Sequence, residues 1–398
     1  MDFNKDFFAN NRKSLSRELS NSLILISANS LLQKSADTTY SFRQDSNFWY
    51  LTGIDEPDYI LVIDTLKNSE ILYIPEPNEY HKLWDGILDK KYLSEKSGIK
   101  EIKYVGELEE VIKNAKSKGL QIYCQKPLPE LVEPYDFYSN PARKKLYEKI
   151  QKYENEPADI RKKLALLRQI KQPVEIDAIQ YAINITKKSL DFVKNNLSSY
   201  KTEKELENAI TSQFYLNQSN GHGYDPIVAS GKNATTIHYT KNNSKLSSKD
   251  LVLLDVGALQ GYYSADISRT WSIGDASNRQ NEIHQAVLEI QNYAFTLLKP
   301  GVYLKEYQKS VENKTSDVMK KIKCSNYDEK FPHGFSHFLG LDVHDAGDYD
   351  SPLMENMVLT VEPGIYLPNE KIGVRIEDNI LITKTGNRSL SDKITKDL

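Results

Sequence analysis

The sequence predicts an α+β protein in two parts, a smaller α/β domain over residues 1–160 and an α+β domain over 161–398. Three observations predict it. Up to Cys124, short strand-like apolar runs alternate with polar stretches of helical character, the pattern of an α/β domain. Beyond Pro173 the apolar residues fall at three- and four-residue steps, which marks amphipathic helices. Between and after those helices lie hairpin-like strands, so that helices are segregated from a mainly antiparallel sheet.

Taken in order, the strands expected in the first domain are 23–26, 47–53, 59–64, 71–74, 102–105 and 121–124. "SLILISANSLL" at 22–32 is short and broken by Ser and Asn, so it reads as strand and turn rather than as a signal segment or membrane span. From Ala142 to Lys171 the chain is rich in Lys, Arg and Glu, which predicts a solvated helix linking the domains. Ile176, Ile179, Ile183, Leu190 and Val193 then define one apolar helical face. Thr202 with Glu205 three residues on is a capping box that opens a second helix, burying Leu206, Ile210 and Phe214. A third helix spans about Glu282 to Leu298 and a fourth about Lys305 to Lys323. The remaining strands are a hairpin after Leu251 and the runs 357–362 and 373–383.

Length and composition bound the function. The 398 residues suit two domains with a sizeable core. Charged residues make up 27% and the net charge is −3, so no basic nucleic-acid footprint and no acidic tail is present. Cys124 and Cys324 lie far apart with no partner spacing, which predicts buried free thiols in a reducing compartment. "MDFNKDFFANNRK" holds no apolar signal core, and the expectation is a cytoplasmic protein without nucleic-acid or membrane partners.

Chemistry-bearing residues gather in a few blocks. In "DLVLLDVGALQGYYSADISRTW" the apolar run ends on Asp255, and a returning strand from Tyr263 to Trp271 carries Asp266. A tight turn centred on Gln260 and Gly261 sets Asp255 and Asp266 opposite each other. Side chains so placed lie roughly 5 Å apart at Cβ, and like charges there are destabilising, so the pair needs a compensating cation. "MVLTVEPG" likewise ends an apolar strand on a carboxylate, Glu362. In "GVRIEDNILI", Val374, Ile376, Ile380 and Ile382 take one face, while Arg375, Glu377 and Asn379 take the other. Arg375 there either partners Glu377 or orients it. "HGFSHFLGLDVHDAG" holds His333, His337 and His344, three of the seven histidines, in a Gly-rich window. His81 and His284 lie outside any such cluster and read as structural.

Hard divalent cations favour carboxylate oxygen, and Mn, Co, Zn or Fe also accept imidazole. Four carboxylates balance two divalent ions. One neutral imidazole and a bridging hydroxide would complete a two-metal site, roughly 3.5–4 Å between ions, that makes a nucleophile at neutral pH and polarises a carbonyl. A structural calcium site, or acids that cap turns, fits the same residues.

"LLDVGALQGYYSADISRTW", "HGFSHFLGLDVHD", "VEPGIY" and "RIEDNILIT" together resemble the pita-bread-fold metallopeptidases, whose members include aminopeptidase P, prolidase and methionine aminopeptidase. The resemblance implies Asp255, Asp266, His337, Glu362 and Glu377 as ligands of two divalent ions, manganese first, with cobalt or zinc as alternatives. Asp266 and Glu377 would bridge the ions, Asp255 would chelate one, and His337 and Glu362 would serve the other. "YDPIVASGKNATTIHY" is similar to the block that ends on a catalytic histidine, here His238, and His344 in "DVHD" corresponds to the second, near the scissile carbonyl. Glu362 would also shuttle the proton from the attacking water to the leaving nitrogen. His333 resembles a residue lining the pocket for the proline side, with Tyr224 beside it.

"YSFRQDSNFWYLTGIDEPDYILVI" and "HKLWDG" look like the amino-terminal domain of aminopeptidase P, and "LRQIKQPVEIDAIQYAINIT" like the entry to the catalytic domain. Methionine aminopeptidases resemble only the second half, and creatinase lacks the metal ligands. In some members the tryptophan of the "WDG" block reaches a neighbouring subunit's site, which makes Trp84 a contact residue by resemblance. The resemblance therefore implies release of the residue before proline from peptides with proline in second position, by a homodimer or homotetramer. Prolidase, which cleaves Xaa-Pro dipeptides, is the nearest alternative. A catalytically inert binding domain of the same fold would have lost a ligand or a histidine, and none is missing here.

Overall fold

The computed structural model describes residues 3–77, 79–84, 86, 89–128, 138–324 and 333–398, with Tyr80 and His81 described as backbone only. The chain divides into two compact units, Met1–Leu167 and Arg168–Leu398. The first is built on a six-stranded mixed sheet in the order Glu101–Tyr104, Ser69–Ile74, Ile60–Asp64, Ser22–Ser27, Gln121–Cys124, Ala158–Asp159. Ser22–Ser27 is central because all six of its residues are buried. Such an apolar run cannot face water on either side, so helices cover the sheet. Leu108–Ser117 and Ala142–Gln151 pack Leu108, Ile112, Leu146 and Ile150 against Leu23, Leu25, Val62 and Tyr73.

Two expectations fail in this unit. The aromatic run 47–53 is no strand; Ser46–Thr52 is a helix buried along its whole length. Its ends decide the matter, since Asp45 caps the amide nitrogens of Asn47 and Phe48, and Gly53 closes it at φ +67°. The charged region after Ala142 is likewise not one helix. It forms Ala142–Gln151, then Ala158–Asp159 added to the sheet edge, then Arg161–Arg168.

In the second unit the helices Pro173–Asn195, Glu203–Leu216, Asn278–Leu297 and Leu304–Lys321 fall where their periodicity puts them. Thr202 accepts from the Glu205 amide as a cap should, while the Glu205 carboxylate reaches the amide of Lys201, so only half of the expected box forms. The strands make short antiparallel sets. Leu251–Val256 lies between Ile267–Ser272 and Ile227–Ser230, and Asp378–Ile382 lies between Val358–Val361 and Asn387–Ser389. The run 373–383 is therefore broken. Ile372–Arg375 pairs with Gly364–Leu367 in one ladder, and Asp378–Ile382 belongs to another. Its alternation survives the break: Val374, Ile376, Ile380 and Ile382 join the core beneath Asn278–Leu297 and Leu304–Lys321, and the opposite parity carries Arg375, Glu377 and Asn379.

Candidate metal centre

The hairpin that motivated the site has a different register from the expected one. Gln260 pairs with Tyr263, so the turn residues are Gly261 and Tyr262, and Gly261 takes φ +58°. A glycine with positive φ at the first central position suits a two-residue hairpin turn of the II′ kind. Asp255 consequently faces Ser268 rather than Asp266. Asp266 still points to the same side, because it lies two residues from Ser268 along the strand, the diagonal position. Gly257 permits this closeness: a Cβ there would sit 1.9 Å from the Ala265 carbonyl oxygen and 2.9 Å from the Tyr224 ring.

Asp266 is held through its backbone. The Asn379 side-chain amide donates to its carbonyl at 2.6 Å, and its own N–H donates to Asn379 Oδ1 at 3.1 Å. Glu377 sits at the break between two ladders, its N–H bonded to the Ser268 carbonyl at 3.0 Å. Arg269 braces that break. The guanidinium donates to the Glu377 carbonyl at 2.6 Å and pairs with Asp378 at 2.8 Å, both partners being buried. Removing either partner would strand a buried charge at a cost of ~3–5 kcal/mol.

These supports bring Asp266, His337 and Glu377 together, with one ligand atom from each lying within 4.8 Å of the others. His337 donates Nδ1–H to its neighbour Phe338 O at 3.0 Å, and that bond turns Nε2 toward Asp266 and Glu362, 3.3 Å from each. Glu362 Oε1 also accepts from Thr360 Oγ1 at 3.2 Å. Burial, then the charges of Asp266, Glu362 and Asp255, holds the Glu377 carboxyl well above the usual range. Burial also raises Asp266, against the hydrogen bond from His337. Glu362 is pushed up to about 7 by burial and by Asp266, against the opposing charges of His337 and Arg375. His337 goes the other way from an ordinary buried imidazole. Burial disfavours its charge, but Asp266 and Glu362 outweigh that and take it to about 9.

Asp255 stands beside this group. Its Oδ2 accepts from Arg375 Nη2 and its Oδ1 from Tyr224 OH, each at 2.6 Å. Arg375, only 2% exposed, also donates to Ser268 Oγ and to Tyr366 OH, each at 2.8 Å. Ser268 Oγ in turn donates to Glu377 Oε2 at 2.8 Å. Arg375 thus orients Asp255 directly and Glu377 through Ser268, which answers how it relates to both. Tyr224 is tied to a carboxylate rather than standing alone in an apolar pocket. From Tyr366 the chain continues to His333 Nε2 at 2.9 Å, while His333 Nδ1 bonds Gly334 O at 2.8 Å. Burial and Arg375 lower His333 to about 4, so it is neutral and both ring nitrogens are engaged.

His344 packs edge-on against His337, ring centroids 4.5 Å apart, and burial with the charges of His337 and His238 lowers it to about 4. Its backbone is fixed next door. The buried Asp345 accepts from Arg168 and, at 2.9 Å, from Lys171, and its N–H donates to the Phe338 carbonyl at 2.9 Å. His238 is exposed, yet near enough that its charge bears on both His333 and His344. His222 bonds Thr211 Oγ1 at 2.9 Å and packs on Phe214, a structural role. His284 is in the core at 1% exposure and is lowered to about 4 by burial. Trp84 belongs to the first unit and is 68% exposed, so it is not the buried aromatic its residue type favours. The side chain of His81 lies outside the described residues. Sequence reasoning missed Ser268, Tyr366, Thr360 and Asn379. Only Asn379 carried a signal, its parity with Arg375 and Glu377.

The donor set fits a divalent cation. Carboxylate oxygens and one imidazole nitrogen converge, several carboxyls resist ionising together, and His337 binds a proton tightly where a cation would stand. Each carboxylate oxygen keeps lone pairs beyond the hydrogen bond it accepts, so Asp255 can serve Arg375 and an ion at once. A pH dependence follows. A cation held by these groups would need neutral His337 and ionised Glu362, so protons would compete with it below about 9 and about 7. Mn²⁺ affinity of metal-stripped protein should therefore rise with pH, about tenfold per unit for each proton displaced. Calorimetric titration in buffers of different ionisation enthalpy measures the protons released; pH-independent binding with no release contradicts it.

A sheet-built cluster of acids and one oriented imidazole, with the neutral His333 and His344 close by, has the chemistry a metal-dependent hydrolase needs. Residues 177–384 match metallopeptidase family M24, and the chain belongs to that family. Residues 8–123 match the aminopeptidase P N-terminal domain. An Xaa-Pro aminopeptidase from Haemophilus influenzae is 33% identical over 407 residues, covering 95% of this chain and 92% of that protein. Aminopeptidase P from Escherichia coli, solved with the inhibitor Pro-Leu, superposes with a TM-score of 0.84 at 29% identity, covering 100% of this chain and 97% of that one. An Xaa-Pro dipeptidase from Pyrococcus horikoshii is 30% identical over 369 residues, covering 90% of this chain and 94% of that protein. The chain is a metal-dependent exopeptidase whose second unit has the pita-bread fold. No helix among the described residues is long and apolar enough to cross a membrane.

Proposed function

We propose that the chain is an Xaa-Pro aminopeptidase, releasing the amino-terminal residue from peptides with proline in second position. The observation that carries this is the hydrogen-bonded row Asp255–Arg375–Tyr366–His333, which ties a ligand carboxylate to a neutral imidazole whose nitrogens are both occupied. Such an imidazole offers its ring face rather than a donor. An Xaa-Pro bond lacks the N–H that most peptidases bind, and its ring is rigid, so an apolar face suits it.

Asp255, Asp266, His337, Glu362 and Glu377 would hold two divalent cations, manganese in our reading, with cobalt or zinc as alternatives. Bound there, the ions would supply a hydroxide at neutral pH and polarise the scissile carbonyl. Glu362 would take up the proton released by the attacking water and return it to the leaving nitrogen. His344, neutral at physiological pH, and His238 present N–H groups to the oxygen on which negative charge develops. Trp84 as a contact to a neighbouring subunit, a homodimer or homotetramer, and a cytoplasmic location belong to the same reading by resemblance.

The similarity to an Xaa-Pro dipeptidase supports a second reading, prolidase. Parallel assays separate the two: manganese-loaded protein with an Xaa-Pro-Xaa tripeptide, an Xaa-Pro dipeptide and an Xaa-Ala-Xaa tripeptide. The proposal expects fast release from the first only. Preference for the dipeptide moves the protein to prolidase, and equal use of the alanine peptide removes the proline specificity.

A further inference from the structure

His238 makes no hydrogen bond through its ring to any described residue and is exposed, so nothing local fixes where it points. Its place depends on the backbone of the loop that follows Ile227–Ser230. That loop is wrapped around one buried carboxylate, Glu203, the first residue of the helix Glu203–Leu216 and 0% exposed.

Glu203 accepts five hydrogen bonds. Oε1 takes Ser230 N at 2.8 Å, Ser230 Oγ at 2.8 Å and Asn233 Nδ2 at 2.9 Å. Oε2 takes Tyr239 OH and Ser244 N, each at 2.9 Å. Its own N–H donates to the Ser244 carbonyl at 2.9 Å, so the loop is fastened at its entry, its middle and its exit. Tyr239 is the immediate neighbour of His238. A carboxylate with both oxygens saturated by donors has the geometry of a fixed hub, and it is among the stronger hydrogen-bonding arrangements a protein can bury. It stands apart from the ligand cluster: among the described residues, none of its partners is hydrogen-bonded through its side chain to Asp255, Asp266, His337, Glu362 or Glu377.

We infer that Glu203 is a positioning residue for His238, acting through Tyr239 and the loop 230–244 to hold that imidazole near His333 and His344. The inference rests on the proposed role of His238 in the reaction. The catalytic load falls on geometry, where a displacement of about 1 Å costs on the order of 10²-fold.

The test is a double-mutant cycle in manganese-loaded protein, with Mn²⁺ stoichiometry and thermal melting measured alongside. Tyr239→Phe removes one of the five bonds from a half-buried ring and should lower kcat about fivefold with KM unchanged. Glu203→Gln keeps the shape, turns an amide N–H toward donors, and should lower kcat by roughly 10²-fold, again with two ions still bound. In a His238→Ala background both further losses should vanish, because the residue they serve is gone. If each substitution instead lowers kcat by the same factor with or without His238, or if it acts through lost metal, the inference is overturned. Full activity of His238→Ala would remove the role of His238 itself, and the inference with it. Should Glu203→Gln fail to fold, Tyr239→Phe alone completes the cycle.

Discussion

Asp266→Asn should lower turnover by ~10³-fold or more, equivalent to ~4 kcal/mol of transition-state stabilisation. The size follows from what converges on that carboxylate. It lies within 4.8 Å of His337 and Glu377 ligand atoms, and it supplies the largest contribution that raises His337 to about 9. An amide in its place brings no charge and aims N–H groups at donors, so a cation loses both attraction and a ligand atom. Mn²⁺ stoichiometry should fall with activity. The stripped protein should not be harmed. His337, Glu362 and Glu377 all have raised values, so their stabilising protons are present below the ordinary values and are lost as pH rises through the raised ones. Stripped wild-type protein should therefore melt lower at pH 9 than at pH 6. Asp266→Asn should flatten that dependence by relieving the repulsion among the acids.

Glu362→Gln is expected to cost about 10³-fold in kcat, the range for a lost general acid–base group, with KM little changed. Gln keeps the oxygen that accepts from Thr360 and can still face His337, so the surrounding hydrogen bonds persist. What disappears is a carboxylate that can take up and release a proton. Saturating Mn²⁺ should fail to restore the rate, which separates the proton role from the ligand role. Recovery to near wild-type kcat at high Mn²⁺ would leave Glu362 as a ligand alone.

Much of this was legible in the chain. The helices of the second unit followed from three- and four-residue apolar steps, and Val374, Ile376, Ile380 and Ile382 were readable as a core face despite the break at Glu377. Parity kept Asp255 and Asp266 on one side even though the hairpin register was wrong, because a shift of two residues conserves the face of a strand. The shift itself hung on which residue of the turn Gly261 occupies, a choice that apolar periodicity does not record. Ser46–Thr52 was misread since an aromatic run buried on every side has no period to betray a helix; only Asp45 and Gly53, its caps, distinguish it. The supports were least visible. Tyr366, Ser268 and Glu203 act through partners brought near by folding, and none sits in a spacing that signals its task.

The central claim is that this acid and imidazole cluster holds the ions on which peptide release depends. The most direct measurement takes metal-stripped protein, titrates Mn²⁺, and follows bound metal and release of the first residue from an Xaa-Pro-Xaa tripeptide together. Two ions per chain in the wild type, with release rising as they bind and both lost in Asp266→Asn, is the predicted result. Release that is indifferent to Mn²⁺, or metal binding and activity that survive Asp266→Asn intact, would contradict it.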